Sequence, residues 1–379
     1  MRAKFQGNIN ELTTLRFPFA LAIAFYHFTN YFADYEQTGL TLLEDLAFVL
    51  DFFFILSGFV MAHAYNDPDR FSYRKYILRR FFRIYPLHVL TLFSLVLIAM
   101  VGGWLGVQAS NPERYQLDSI WMHLTLLHAW PADPSITFNV PSWSVSAEWF
   151  AYLLMPVCLF LARSTRVGIL LIASIFLLCL WYGLTLGVTG YSYPHLEGFA
   201  LVRVCVDFFL GYAIREYLRT RSLPFTRFRG ASTFYLILMT SIGLVGLPPI
   251  IAILIFILFT GAAFERALSS ERNGYYDNPF ALKLGNTAFA LYMVHMPFAI
   301  YATNAIGLVS GLHLPGPSSD LMVVGVVGFL TLGCVPVAWY AHYWIEQPLA
   351  VYAPKFVEIT LGKAFTGLKS RLSKFARPS

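Results

Sequence analysis

Charge is what this 379-residue sequence has least of: Asp, Glu, Lys and Arg make up 13% of it, against about 25% in ordinary soluble domains. With 57% apolar residues and a mean hydropathy of +0.60, too little polar surface remains to cover a water-soluble globule. Long polar stretches are missing as well, which leaves no room for a separate soluble domain. Paired cysteines are lacking. Cys158, Cys179, Cys205 and Cys334 each lie inside an apolar run with no ligand spacing, so they read as small core residues rather than disulfides or zinc ligands. No metal site is expected. A cleavable leader is not expected either, because the first apolar run carries Arg16, Pro18 and His27 and has no small-residue cleavage site. No internal repeat is found, inverted or parallel, which counts against a secondary transporter.

What is there is a succession of apolar stretches, about ten of them, each near the roughly 20 residues that a bilayer core requires. They fall at 15–33, 44–64, 84–106, 143–162, 167–188, 197–215, 231–247, 249–264, 284–304 and 321–345. Between the seventh and eighth stands Gly246-Leu247-Pro248-Pro249, a turn no single helix tolerates. The expected fold is therefore an all-α integral membrane protein of about ten transmembrane helices with both termini cytoplasmic. Residues 1–350 form its membrane domain and 351–379 a basic amphipathic cytoplasmic tail, with Lys363, Lys369, Arg371 and Lys374 among Phe365, Leu368, Leu372 and Phe375. Such a tail suits the anionic inner leaflet.

Charge asymmetry supports that count, since Lys and Arg near helix ends stay in the cytoplasm. The inside loops hold Arg70, Arg74, Lys75, Arg79, Arg80 and Arg83, then Arg163 and Arg166, then Arg215, Arg219, Arg221, Arg227 and Arg229, then Arg266, Arg272 and Lys283. Outside loops hold only Arg114, with Asp34, Glu36, Glu44, Asp45, Glu113, Asp118, Asp133 and Asp320. The net charge of +6 is thus a topology signal and not a nucleic-acid footprint.

Ionisable residues at membrane depth carry the functional information, because each costs at least a few kcal/mol there. His27 follows Arg16 by eleven positions. That spacing returns a helix to within about 20°, so both share a face about 16 Å apart along the axis. The pattern suits a general base at depth above an anion-binding arginine; a structural histidine is the alternative. Glu148 enters the fourth helix roughly 8 Å below the outer surface, with Ser144 one turn before it and Trp143 and Ser146 beside it. Line of a catalytic cavity or helix cap, both readings are open. Arg80 and Arg83, three apart between aromatics, are placed to grip phosphate. His295 is a second histidine at depth, Arg203 and Asp207 suit an ion pair within one helix, and Ser57-Gly58 suits close helix approach.

Taken in order, Leu15-Arg16 with His27, the run Phe53 to Phe59, Arg80-Phe-Phe-Arg83-Ile-Tyr-Pro86, Trp143-Ser-Val-Ser-Ala-Glu148, Arg203 to Gly211, Leu291-Tyr292 with His295 and Pro297, and Glu346-Gln347-Pro348 resemble acyltransferase family 3. These are membrane O-acyltransferases that modify envelope glycans, and the resemblance covers residues 9 to 350. It departs at Asn286-Thr287-Ala288, where the family more often has a Ser-Tyr pair. The resemblance implies transfer of an acyl group, acetyl foremost, from cytoplasmic acyl-CoA to a hydroxyl of a lipid-linked or exported glycan. The setting would be the bacterial inner membrane, with no permanently bound cofactor. On this reading Arg16, Arg80 and Arg83 meet the donor, and His27 acts as general base or as covalent acyl carrier. Glu148 orients His27 or the acceptor, Trp143 stacks on a sugar, and Ser144, Ser146 and His295 complete the substrate lining. The expected partners are acyl-CoA, the glycan and membrane lipid, with no nucleic acid and a homo-oligomer left open. A transporter or flippase acting without acyl transfer is the rival.

Overall fold

A computed structural model describes residues 5, 7–32, 46, 48–65, 71–106, 111–131, 136–190, 199–269, 274–310 and 320–360. Arg70, Arg272, Asp34, Glu36, Glu44, Asp45, Asp133 and the basic tail residues Lys363, Lys369, Arg371 and Lys374 lie outside the described residues, so the expected loop and tail placements at those positions do too.

Every described element is helical. In chain order these are α1 (Asn10–Thr14), α2 (Arg16–Phe32), α3 (Val49–Ala64), α4 (Tyr73–Trp104), α5 (Ile120–Leu124), α6 (Trp143–Leu153), α7 (Met155–Ser164), α8 (Val167–Thr189), α9 (Ala200–Thr220), α10 (Ala231–Val245), α11 (Pro249–Ser269), α12 (Pro279–Asn286), α13 (Ala288–Ser310) and α14 (Asp320–Ala341). A π-turn over His342–Glu346 continues α14 into a helix that reaches Thr360. Five of these helices are long and apolar enough to cross a bilayer: Tyr73–Trp104, Val167–Thr189, Pro249–Ser269, Ala288–Ile306 and Val324–Thr360. The bent pair α6–α7 makes a sixth if taken as one span. The described part of each expected stretch is helical, and five or six of the described helices, rather than ten, have the length and apolarity of a full span, so the class is a helical membrane protein.

Three boundaries differ from the expectation, each for a local reason. The third helix begins at Tyr73, well before the apolar run, because a helix extends into water without a hydropathy signal; Arg80 and Arg83 are therefore fully helical. The fourth stretch breaks at Leu154, where α6 and α7 meet at 47°. Pro156 opens the new helix, whose first-turn amide has no partner to lose. The ninth stretch breaks at Thr287, between α12 and α13. The turn expected after the seventh helix is present, with Gly246 at φ +72°, a left-handed backbone that glycine adopts freely.

Two bundles of helices position the site. In one, α3 lies against α9, which also touches α6 and α8. The α3–α9 seam is closed by glycine on both sides: a Cβ on Gly58 would lie 1.9 Å from the Phe208 carbonyl oxygen, and one on Gly211 would lie 1.8 Å from that of Ile55. Small residues let helices approach in this way when lipid offers no hydrophobic drive. Beside the seam, Asp51 accepts from Arg203 Nε at 2.5 Å and from the Tyr182 hydroxyl at 2.7 Å. Arg203 therefore has Asp51 of α3, across the seam, as its closest ionic partner, beside the Asp207 expected on its own helix, with which it also interacts. In the other bundle, α2 packs against α13 and α14. At the N-terminal end, buried Glu11 pairs with Arg266, which also reaches Asp277 at 3.2 Å.

Candidate active site

Helices α2, α3, α4, α6 and α13 leave a cavity of about 150 Å³ between them. Arg16, Arg80 and Arg83 line it together with Ser57, Glu148, Ser144 and Tyr292. The two arginines of α4 share a face because they are three residues apart in a helix. Arg16 opens α2 and points into the same space. A second cavity of about 360 Å³ is lined by Gly7, Asn8, Ile9, Thr13 and His63 at the N-terminal edge, and it shares Arg16 and Val60 with the first. Arg16 is therefore the common wall between the edge bearing the N-terminal segment and the interior.

The arginines differ in how completely their charge is met. Arg83 pairs with Glu346, which is 1% exposed, and its guanidinium lies 5.5 Å from the Phe289 ring. The π-turn at His342–Glu346 inserts extra backbone into α14 at that point, and π-turns often mark functional positions. His342 Nδ1 lies 3.0 Å from the same carboxylate. Arg80 stands 6.0 Å from the Tyr152 ring, and its buried Nε has no hydrogen-bond partner among the described residues. Among the described residues Arg16 makes no ion pair. Three arginines against two carboxylates, Glu148 in the lining and Glu346 on Arg83, leave a modest net positive charge around the cavity, which suits an anion.

Glu148 is held from two sides. Ser57 Oγ donates to Oε1 at 2.5 Å, and the Tyr152 hydroxyl donates to the same oxygen at 2.6 Å. Tyr152 lies one turn beyond Glu148 on α6, so the helix itself sets that bond. Ser144 Oγ lies 2.6 Å from the Tyr292 hydroxyl, which donates to the Pro141 carbonyl at 2.8 Å. Neither Ser144 nor Ser146 caps its helix: Ser144 donates to Pro141, and Ser146 donates to Leu126 while accepting from the Ala129 amide.

His27 does not line either cavity. Its Nδ1 lies 2.8 Å from His295 Nε2, which joins α2 to α13. The His295 ring is 5.8 Å from that of Tyr292, so the histidine pair stands directly behind the cavity wall. The structure thus brings Arg16, Arg80, Arg83, Ser144 and Glu148 around one space and sets His27 with His295 beside it. Trp143 is placed elsewhere, edge-on to Phe54 and 6.0 Å from Arg203, and Ser146 is turned toward the Leu126 segment. The residues that sequence reasoning missed here are Ser57 as a hydroxyl donor, Tyr152, Tyr292 and Glu346 as the partner of Arg83. Glu346 carried a signal, since it is an acidic residue next to an apolar run on the arginine side.

The described helices thus carry an arginine-lined cavity, a bonded carboxylate and an imidazole pair beside it. The chain belongs to acyltransferase family 3, whose sequence model, described as an acyltransferase domain, matches residues 9–343. It is also similar to the acyltransferase MdmB of Streptomyces mycarofaciens, at 29% identity over 322 residues, which is 78% of this chain and 80% of that protein. No solved structure matches. The protein is a membrane enzyme of the O-acyltransferase type.

Proposed function

We propose that this protein moves an acyl group, acetyl foremost, from cytoplasmic acyl-CoA to a hydroxyl of a lipid-linked or exported glycan in a bacterial inner membrane. One observation carries the reading: three arginines converge on a cavity that shares Arg16 with a second cavity at the N-terminal edge. Acyl-CoA is a cytoplasmic polyanion, and forked guanidinium donors suit phosphate. The buried Nε of Arg80, without a partner, is a donor ready for such a ligand.

His27 serves as the base, on the reading that the acyl end of the donor reaches past Tyr292 to the histidine pair behind the cavity wall. With Nδ1–H donating to His295 Nε2, the Nε2 lone pair of His27 is free to take the proton of the acceptor hydroxyl. The alkoxide oxygen then attacks the thioester carbonyl, the C–S bond breaks, and the imidazolium returns its proton to the departing thiolate. His295 fixes the tautomer, the part a carboxylate takes in a serine-hydrolase triad. Glu148, bonded to Ser57 and Tyr152, fixes the far wall of the donor cavity and balances its arginines.

The test is release of free coenzyme A by purified protein given acetyl-CoA and envelope glycan, with mass spectrometry of the glycan. His27→Ala should lower turnover about 10²–10⁴-fold at normal membrane expression. Passage of the glycan into proteoliposomes without coenzyme A release under any acceptor condition would instead establish a transporter.

A further inference from the structure

The segment between α4 and α6 holds a second constellation that the acyl-transfer reading does not use. His88 on α4, His123 on α5 and His128 in the following turn are each 1% exposed. One ring nitrogen from each lies within 4.8 Å of the other two. The rings stack nearly parallel, His123 and His128 with centroids 4.0 Å apart and 18° between planes, His88 and His128 at 5.5 Å and 3°.

Their hydrogen bonding is uniform. His88 Nε2 lies 2.9 Å from the His123 carbonyl, His123 Nε2 lies 2.7 Å from Thr137 Oγ1, and His128 Nε2 lies 3.2 Å from Ser142 Oγ. In all three rings the other nitrogen, Nδ1, is buried and has no partner in hydrogen-bond geometry among the described residues, although the Met122 backbone lies near His128. A neutral imidazole has one donor and one acceptor nitrogen. The carbonyl oxygen can only accept, so it fixes His88 with Nε2 protonated and leaves the Nδ1 lone pair without a donor; the two hydroxyls permit the same tautomer in His123 and His128. Three unmet lone pairs of one kind in one buried cluster are rare in folded proteins. With one ring nitrogen of each histidine within 4.8 Å of the others, a single Lewis acid at the cluster could meet such lone pairs together. Histidines that bind metal through one nitrogen almost always give the other N–H to a carbonyl, carboxylate or water, and an oxygen stands at Nε2 of each of these rings.

We infer that His88, His123 and His128 form a binding site for a divalent transition metal, Zn²⁺ foremost, which fastens the outer segment to the helix that carries Glu148. Three neutral nitrogens, with no carboxylate grouped with them among the described residues, favour Zn²⁺ over Mg²⁺ or Ca²⁺, which take oxygen ligands. Closing the nitrogens onto one ion at about 2.0–2.1 Å requires the stacked rings to turn out of parallel. The site's connections set its consequence. His128 bonds Ser142, the residue before α6. Asn139, in the same segment, donates to Thr91 on α4 at 3.3 Å and to the Met293 carbonyl at 2.9 Å, two residues before His295. A metal here would hold both walls of the catalytic region from the outer side without touching substrate.

The experiment measures metal directly and does not depend on acyl transfer. The full chain is purified in detergent with its affinity tag removed, and zinc per chain is read by inductively coupled plasma mass spectrometry before and after chelation. We expect about one Zn²⁺ per chain, and a rise of several degrees in Tm when Zn²⁺ but not Mg²⁺ is returned to the stripped protein. His128→Gln keeps an N–H near Ser142 while removing the Nδ1 ligand, so it should fold and lose the metal. The double variant His123→Ala/His128→Ala should lose it as well. Equal zinc content in wild type and His128→Gln, or no wild-type response of Tm to added Zn²⁺, would overturn the assignment.

Discussion

Arg203 and Arg80 are both arginines sunk among helices, and they are finished differently. Arg203 gives its Nε to Asp51 at 2.5 Å, and the other oxygen of that carboxylate takes the Tyr182 hydroxyl. Arg80 has aromatic cover from Tyr152 but an Nε with no partner. A buried charge whose bonds are completed by the protein belongs to the architecture. One left incomplete beside a cavity is held for something that arrives. Desolvation makes this difference costly to maintain by accident, since an unmet buried polar group costs about 1–3 kcal/mol and more when charged.

The comparison breaks most visibly at Arg203. Arg203→Ala would leave Asp51 buried across the α3–α9 seam with its principal counter-charge gone, and losing one partner of a buried pair costs about 3–5 kcal/mol. We expect poor recovery of monodisperse protein and a sharply lower Tm in detergent. A well-folded Arg203→Ala with weakened acyl-CoA binding would move Arg203 into the donor site and erase the distinction.

Arg80→Ala should do the reverse. Removing it relieves an incomplete charge, so Tm should change little, whereas the KM for acyl-CoA should rise about 10–100-fold, the worth of one hydrogen-bonded charge at about 1.5–3 kcal/mol. Arg83→Ala should show a mixture of both effects, because it also serves Glu346. Steady-state kinetics with coenzyme A release, beside thermal unfolding of the same preparations, separates the three arginines.

Residues that interact along one helix were legible in the sequence, and residues that meet across helices were not. The shared face of Arg80 and Arg83 and the glycine turn at Gly246 follow from helical periodicity and turn chemistry alone. So did the small-residue approach at Gly58, although its counterpart at Gly211 needed the fold. Arg16 lines the cavity, whereas His27, expected above it on the same face, does not. His27 meets a histidine 268 positions away, Arg203 meets Asp51 152 positions away, and no local pattern encodes those pairings. The three histidines on and after α4 come from a long apolar helix, a single helical turn and a loop, so they present no ligand spacing. Composition favoured them even less, because a lone histidine in an apolar run reads as core.

The smallest effect expected tests where the boundary between site and scaffold runs along α6. Ser144 and Ser146 are two residues apart, and both suit substrate contact in the sequence. Ser144 faces Tyr292 at the cavity, whereas Ser146 clamps Leu126, a residue held at φ +58°. That left-handed backbone is strained for leucine and costs on the order of 1–3 kcal/mol, so the Ser146 hydroxyl and the Ala129 amide it accepts help to hold the turn closed. Ser146→Ala should therefore lower stability by about 1–2 kcal/mol and leave the KM for acceptor and donor unchanged. Ser144→Ala should leave Tm nearly as it was and shift the kinetics. Kinetic loss in Ser146→Ala without a fall in Tm would put that hydroxyl in contact with substrate, and the cavity would then extend one helical face further than its lining indicates.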